Sequence, residues 1–316
     1  MRRPPTRRKR MPNLMSSPLV SIGFPVYNGE KSVERALQSI LTQDFEDFEL
    51  IISDNASTDS TGRVCEAYAK RDNRIHYFRN AKNIGVSPNH NRVFELSRGK
   101  YFAWMAHDVE HLPGMLNRCV REMNSASPPV VLVYPRCEQF DENGLAVGVG
   151  LPSIASNDPR PYRRLGTVIW RISYVTQHFG LFASEALRKT RLNGSYASSD
   201  YVLTAEIAML GEIREIPEVL IRRRVEMQGG TKAVLHNKKA WTIWLDPRME
   251  GRRFLLRMEE RLAWEYVRSA WLLPLRPMDK LACMLAGPYV HYRRLLPCAI
   301  RTWRNKLGRV KHSPAG

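Results

Sequence analysis

The chain reads as an α/β fold built on a parallel sheet, and three apolar runs predict it: Val20-Ser-Ile-Gly-Phe-Pro-Val-Tyr-Asn28, Leu50-Ile-Ile-Ser-Asp-Asn-Ala-Ser-Thr-Asp59 and Tyr101-Phe-Ala-Trp-Met-Ala-His-Asp108. Each run stops at a polar cluster. That is the pattern of a buried parallel strand delivering side chains to the carboxyl edge of a sheet, where open α/β folds bind ligands. Tyr27, Asn28, Asp54, Asn55, Asp59 and Asp108 are therefore expected to converge on one crevice.

The intervening segments supply the crossovers. Val33, Leu37, Ile40 and Leu41 fall at helical spacing within Ser32 to Leu41, and Ser57 or Thr58 is placed to cap a helix carrying Val64, Ala67 and Tyr68. A strand at Ile75 to Phe78 follows, then a short helix over Pro88 to Leu96 with Pro in its first turn. Gly99 lets the chain turn into the strand Tyr101 to Met105. The order βαβαβαβ calls for a parallel sheet with right-handed crossovers.

These segments, in this order, resemble the nonprocessive family 2 inverting glycosyltransferases. The resemblance implies a GT-A (Rossmann-like) fold, a mixed, mostly parallel sheet flanked by helices. It rests on Pro25-Val-Tyr-Asn28, on Asp54, Ser57, Thr58 and Asp59 as the D-x-x-S-T-D element, and on Asn83-Ile-Gly85. It runs on through Phe179-Gly-Leu-Phe182 and Ser198-Ser-Asp200 to Arg222-Arg-Arg224, covering roughly residues 18 to 226. The processive members' Q-x-x-R-W element is absent from the sequence.

The activity so implied is transfer of a sugar from a nucleoside-diphosphate sugar to an acceptor hydroxyl, the acceptor being a saccharide, a lipid-linked sugar or a small molecule. Nucleotide-sugar binding is expected of Pro25, Tyr27, Asn28, Asp54, Asn55, Asn83, Gly85, His107, Asp108 and Arg224. Asp54 can accept from a base or ribose edge and Tyr27 offers an aromatic face; a turn cap and a packing residue are their plainer readings. A diphosphate leaving group gains charge as the bond forms, and hard oxygen ligands suit the Mg²⁺ or Mn²⁺ that stabilises it. Asp108 matches the last carboxylate of the family's metal-binding D-x-D and is the metal ligand the resemblance implies.

Direct displacement also needs a base within reach of the acceptor. Asp200 precedes the helical apolar set Val202, Leu203, Ile207 and Leu210 and matches the family's catalytic base, N-capping being the alternative and Glu206 the fallback base. Two departures stand out. The D-x-D is reduced to Ala106-His-Asp108 followed by Val109 and Glu110, and the run Arg222-Arg-Arg224 lacks the relatives' nearby His, the next being His236. They keep open a second function, a catalytically impaired nucleotide-sugar-binding protein, in which the arginines alone hold the diphosphate.

Charge separates the ends from this core. Residues 1–17 carry six Lys or Arg and no acid, and residues 252–316 carry fourteen basic and four acidic residues, so the ends hold sixteen of the eighteen net positive charges. The first 17 residues read as a disordered basic tail without the apolar stretch of a secretory signal. Residues 18–228 read as the glycosyltransferase domain and 229–316 as a basic amphipathic helical appendage, the boundary lying between Gln228 and Lys239 where Gly229-Gly-Thr-Lys relaxes the chain. In that appendage Trp264, Tyr266, Trp271, Leu272, Leu273, Tyr289, Tyr292 and Trp303 alternate with Arg. The mixture suits an anionic membrane surface, and packing on the catalytic domain is the alternative. No apolar stretch approaches the ~20 residues of a spanning helix. Cysteines 65, 119, 137, 283 and 298 lack metal-ligand spacing and favour reduced thiols, hence a cytoplasmic protein, peripheral to the membrane at most. No nucleic-acid-binding module is recognisable, so no specific nucleic-acid partner is expected.

Overall fold

A computed structural model describes residues 17–125, 130–141, 143–149, 152–173, 175–225, 237–251 and 257–310, the side chains of 149, 238 and 297–310 excepted. The basic stretch 2–10, Gly229 to Lys232 and His236 lie outside the described residues. The first half follows the expected order: β1 (Val20–Val26), α1 (Val33–Leu41), β2 (Phe48–Asp54), α2 (Thr61–Ala69), β3 (Ile75–Arg79), α3 (Val86–Glu95) and β4 (Tyr101–Trp104). Then come β5 (Val109–His111), α4 (Met115–Ser125), β6 (Val130–Phe140), β7 (Ala146–Val149), α5 (Pro161–Arg171), β8 (Leu181–Ala183), α6 (Ser184–Arg188), α7 (Ser199–Leu210) and β9 (Glu212–Arg224). Among the described residues three further α-helices follow, α8 (Lys238–Leu245), α9 (Met258–Leu272) and α10 (Pro277–Val310).

One mixed sheet runs in the order β3-β2-β1-β4-β8-β6-β9-β5, with β7 on β6. The β3-β2-β1-β4 half is parallel, β8 is antiparallel to both β4 and β6, and β9 is parallel to β6 but antiparallel to β5. Alternation along the strands separates two cores. Val20, Ile22, Phe24, Leu50, Ile52, Ala103 and Met105 meet α1, α2 and α4 on one face. Ile51, Phe102, Trp104 and Phe182 meet α3, α5, α7 and α9 on the other. Gly23 belongs to the second face because Phe102 and Val93 lie 2.5 and 2.6 Å from where its Cβ would be. Each fully buried Leu, Ile or Phe stabilises the sheet by about 1.5–3 kcal/mol.

Two helix starts differ from expectation. Ser57 and Thr58 do not cap α2, which begins at Thr61; Ser57 Oγ instead accepts from Asn28 N–H and Thr58 N–H donates to Asn28 Oδ1. α3 begins at Val86 because Gly85, with φ of 91°, turns the chain there and leaves Pro88 inside the first turn.

Candidate active site

Parallel register brings the ends of β1 and β2 level, with Val26 opposite Asp54. β4 pairs with β1 as far as Gly23 opposite Trp104, and Met105 N–H continues the ladder to Gly23 O at 2.8 Å. The loops beyond are laced together. Asn28, at φ of 49°, holds Thr58 N–H at 2.9 Å, Gly29 N–H donates to Thr61 Oγ1 at 2.8 Å, and Glu30 N–H donates to Asp59 Oδ2 at 3.2 Å. Burial would raise the Asp59 carboxyl, but hydrogen bonds from Thr61 and from backbone N–H groups outweigh it and hold the group below its ordinary range. Tyr27 is exposed beside this lacework, while Pro25 is buried in β1.

Asp54 is fully buried. Its Oδ1 accepts from Ser57 N–H at 2.8 Å, and its Oδ2 accepts from the Tyr77 hydroxyl at 2.9 Å and from the Arg79 guanidinium. Arg79 also reaches the Ser57 carbonyl at 2.7 Å and, at 47% exposed, stands at the surface over the carboxylate. Asn55 turns away: its Oδ1 accepts from Asn80 and from Ile84 N–H, and its amide donates to Asn83 Oδ1 and to the Gly85 carbonyl. Asn83 Oδ1 takes Gly85 N–H as well, at 2.8 Å. Gly85 is pressed against Leu245 O and Pro247 Cδ, each 2.6 Å from its missing Cβ. Asn55, Asn83 and Gly85 thus shape the loop under the crevice and spend their polar groups on one another.

The next cluster follows β4. His107 Nδ1 is 3.0 Å from Ser32 Oγ, and its ring lies 2.9 Å from where a Gly29 Cβ would stand, so the ring is set against the β1–α1 turn. Asp108 Oδ2 accepts from Arg223 Nε at 3.0 Å, and its carbonyl accepts from Arg224 N–H at 2.8 Å. Burial acts to raise the Asp108 carboxyl, yet the charges of Arg223 and His107 prevail and keep it below the usual carboxylate range. Arg224, the residue expected at the diphosphate, contributes its backbone here; the guanidinium on Asp108 belongs to Arg223. Alternation along β9 was the signal that separates these neighbours, with Arg222 paired to Glu138 at 2.8 Å on the other side. Glu110 is engaged by Arg35 at 3.0 Å.

Asp200 sits in the first turn of α7, after Ser198 at φ of 63°. Burial pushes its carboxyl up to about 6, against the Tyr201 N–H at 3.0 Å and the charge of Arg223, which both act to lower it. Arg223 therefore acts on Asp108 and Asp200 alike. Beneath them Trp104 stacks on His178 at 5.7 Å, and Thr204 Oγ1 lies 3.3 Å from His178 Nε2 while donating to the Asp200 carbonyl at 2.8 Å. Burial, then the neighbouring His90, lowers His178 to about 3, so this floor stays uncharged at neutral pH. His178, Tyr77 and Arg79 join the site as residues that motif reading alone passed over, and within the run Arg222-Arg-Arg224 it is Arg223 whose guanidinium meets Asp108. Glu206 lies elsewhere: it is buried and bound by Arg191 at 2.8 Å and Ser269 Oγ at 2.7 Å.

Among the described residues no three His, Cys, Asp or Glu side chains group to hold a metal. A lone Asp108 fits a cation that completes its shell with donor phosphates and water, as Mg²⁺ commonly does with one or two carboxylates.

Residues 21–191 match the family model described as Glycosyl transferase family 2, and the chain belongs to that family. An uncharacterized glycosyltransferase of Rickettsia typhi is 32% identical over 238 residues, 72% of this chain and 71% of the relative. One of Rickettsia felis is 26% identical over 297 residues, 89% of this chain and 46% of the relative. The chain spans about half the length of such longer relatives. A GalNAc(5)-diNAcBac-PP-undecaprenol beta-1,3-glucosyltransferase of Campylobacter jejuni is 34% identical over 108 residues, 34% of this chain and 35% of the relative. In fold the chain resembles S. aureus TarS 1-349 solved with UDP-GlcNAc (TM-score 0.60, 15% identity, 87% of this chain and 72% of TarS 1-349). It also resembles the mannosyltransferase PcManGT from Pyrobaculum calidifontis solved with GDP-Man and Mn²⁺ (TM-score 0.57, 17% identity, 96% and 77%). The architecture is the GT-A fold.

Proposed function

We propose that this chain is an inverting glycosyltransferase that moves a sugar from a nucleoside-diphosphate sugar to an acceptor hydroxyl. The observation that carries the reading is Asp200, a carboxylate raised to about 6 at a helix start and sharing Arg223 with Asp108. A base titrating there is ionised at neutral pH yet basic enough to accept a proton in the transition state. In the reaction so read, Asp200 removes the acceptor hydroxyl proton as that oxygen bonds to the anomeric carbon. The bond from that carbon to the diphosphate oxygen breaks on the opposite side, which inverts the centre. Arg223, whose guanidinium holds Asp108, would supply positive charge to the departing diphosphate, and Arg224, bound to the Asp108 carbonyl through its backbone, would fix that strand end beside it. Tyr27, Asn28 and the Asp54–Arg79 pair would receive the nucleoside, with Pro25, Asn55, Asn83 and Gly85 shaping the walls. His107 and Asp108 would meet the diphosphate, and a Mg²⁺ or Mn²⁺ held by Asp108 and the donor phosphates would supply Lewis-acid stabilisation of the leaving group.

The acceptor is a saccharide, a lipid-linked sugar or a small molecule. The lipid-linked case is supported by the C. jejuni relative's name and by the apolar surface of the last helices. We place the protein in the cytoplasm, peripheral to an anionic membrane surface, and with no specific nucleic-acid partner. Ala106, Val109 and the Arg35–Glu110 pair favour a second reading, a nucleotide-sugar-binding protein without turnover.

The test uses purified protein, a panel of nucleotide sugars and Mn²⁺. Asp200→Asn is expected to bind donor as the wild type does and to lose about 10²- to 10⁴-fold in transfer. Undiminished transfer removes Asp200 as the base, and a wild type that binds donor but neither transfers nor hydrolyses it supports the binding protein.

A further inference from the structure

The last helix has two opposite faces. Cys283 and His291 are buried, a Cβ at Gly287 would stand 3.0 Å from the Tyr266 Cβ of α9, and Arg294 reaches the Ile169 carbonyl of α5 at 2.8 Å. Across the helix lie Met278, Leu281, Leu285, Tyr289, Tyr292 and Leu296, each three or four residues after the last and each between 47% and 76% exposed. At 3.6 residues per turn this spacing draws one apolar stripe, and the sequence repeats it at Trp303 and Leu307. α9 likewise exposes Trp264 and Trp271, seven residues apart, opposite its buried Leu262 and Tyr266.

Charge selects the occupant. From Lys280 to the last residue the sequence has eight Lys or Arg and no Asp or Glu. Two copies of α10 laid stripe to stripe would set base against base with only Asp279 of the first turn to answer them, whereas an anionic lipid surface complements both the stripe and its charge. None of the described helices is long and apolar enough to cross a membrane, so α10 seated on lipid would lie along the surface.

We infer that the Met278–Leu296 stripe of α10 is the face by which this protein seats on an anionic lipid leaflet. The inference rests on the membrane reading given above and assigns it to one surface.

Full-length protein is mixed with vesicles of phosphatidylcholine alone or with phosphatidylglycerol, and bound protein is measured by co-sedimentation beside the double variant Leu281→Gln, Leu285→Gln. Both leucines are exposed and the change leaves the charge untouched, so the variant should melt as the wild type does and bind donor equally. Wild-type protein is expected on the anionic vesicles and to be released as salt rises from about 0.1 M to about 0.5 M. The variant is expected to bind about tenfold more weakly or worse, since two apolar side chains no longer enter the bilayer. Undiminished binding by a folded variant overturns the stripe while leaving membrane attachment standing. Absence of wild-type binding overturns both. Equal binding to neutral vesicles overturns the charge argument, and a light-scattering mass that is dimeric for the wild type and monomeric for the variant makes the stripe a self-association seam instead.

Discussion

The base proposed for the transfer has to be held above the ordinary carboxylate range to take a proton near neutral pH, and at Asp200 burial does this against the Tyr201 N–H, its own N–H and the charge of Arg223. The same burial weakens the fold. With a folded value of about 6 and an unfolded one near 3.8, the native protein holds this proton through a window where the unfolded chain releases it. The stabilisation linked to that proton is complete below about pH 4 and is lost as pH rises through about 6. Asp200→Asn should therefore gain about 1–3 kcal/mol at pH 7.5, partial exposure trimming the full shift, and the gain should shrink as pH falls from 6 to 4. Melting curves across that range check it; a gain that grows in acid contradicts the assignment. Transfer by the wild type should rise with pH through about 6. Asp54 shows how far single residues were legible. The strand end and its acid were readable from Leu50 to Asp54, but Tyr77 and Arg79 come from β3, and only the β2–β3 register sets Asp54 beside Arg79. Asp54→Ala strips partners from the Tyr77 hydroxyl and Ser57 N–H, so a loss of about 1–3 kcal/mol should accompany any loss of nucleotide binding. Unaltered melting would mean that the Asp54 bonds contribute nothing to the fold.

At the scale of elements, the Asn83-Ile-Gly85 segment is a support with a conformational requirement. Gly85 adopts φ of 91°, which side chains resist, and a Cβ there would meet the backbone of Leu245 and Asp246 and the Pro247 ring. Gly85→Ala should cost about 2 kcal/mol or more through strain and displacement of the Asp246 turn, readable as a lower denaturant midpoint. A variant as stable as the wild type would show that this packing yields freely. Glu206 makes the complementary case. It closes a buried network in which Arg191 also holds Glu265 at 2.6 Å, joining the loop before α7 to α9. Removing one member of a buried pair costs about 3–5 kcal/mol, so Glu206→Ala should destabilise strongly. The surviving folded fraction should still transfer sugar, and transfer lost from a fully folded variant would restore Glu206 as a base. β1, β2 and β4 were plain in the sequence because each is continuous and buried on both faces, and β3, an edge strand with only Ile75 buried, was marked by its short apolar and aromatic run. β5 and β8 have three residues each, too few for a period, and the β6–β9 pairing shifts register around Val130–Leu132 and at Pro135–Cys137, which breaks the alternation that would mark a strand of 13 residues.

The whole molecule joins its last helices to the catalytic core more closely than the word appendage suggests. Leu262, Tyr266, Ala270, Leu273 and Cys283 belong to the same buried cluster as Trp104, Phe182, Leu165 and Leu203. The Arg191 network ties α9 to α7 from within, and Arg294 ties α10 to α5. Composition showed the basic, aromatic character of this region but not which residues face inward, because Trp and Tyr suit both a core and a lipid surface. The structure divides them, with Tyr266 buried and Trp264, Trp271 and Tyr289 exposed. Loss of Leu262, Tyr266 and Leu273 alone forfeits about 1.5–3 kcal/mol each, and the total is comparable with the 5–15 kcal/mol that holds a typical domain together. A chain ending before Arg257 should therefore fail to give a soluble monomer with a cooperative melt, even though the β1–β4 half and its strand-end residues are all present. Adding residues 257–316 as a separate polypeptide during refolding should recover part of the soluble yield. A truncated protein that melts cooperatively at the full-length temperature and still binds nucleotide would instead establish the helices as a true appendage, with the boundary near residues 228–239 as the sequence suggested.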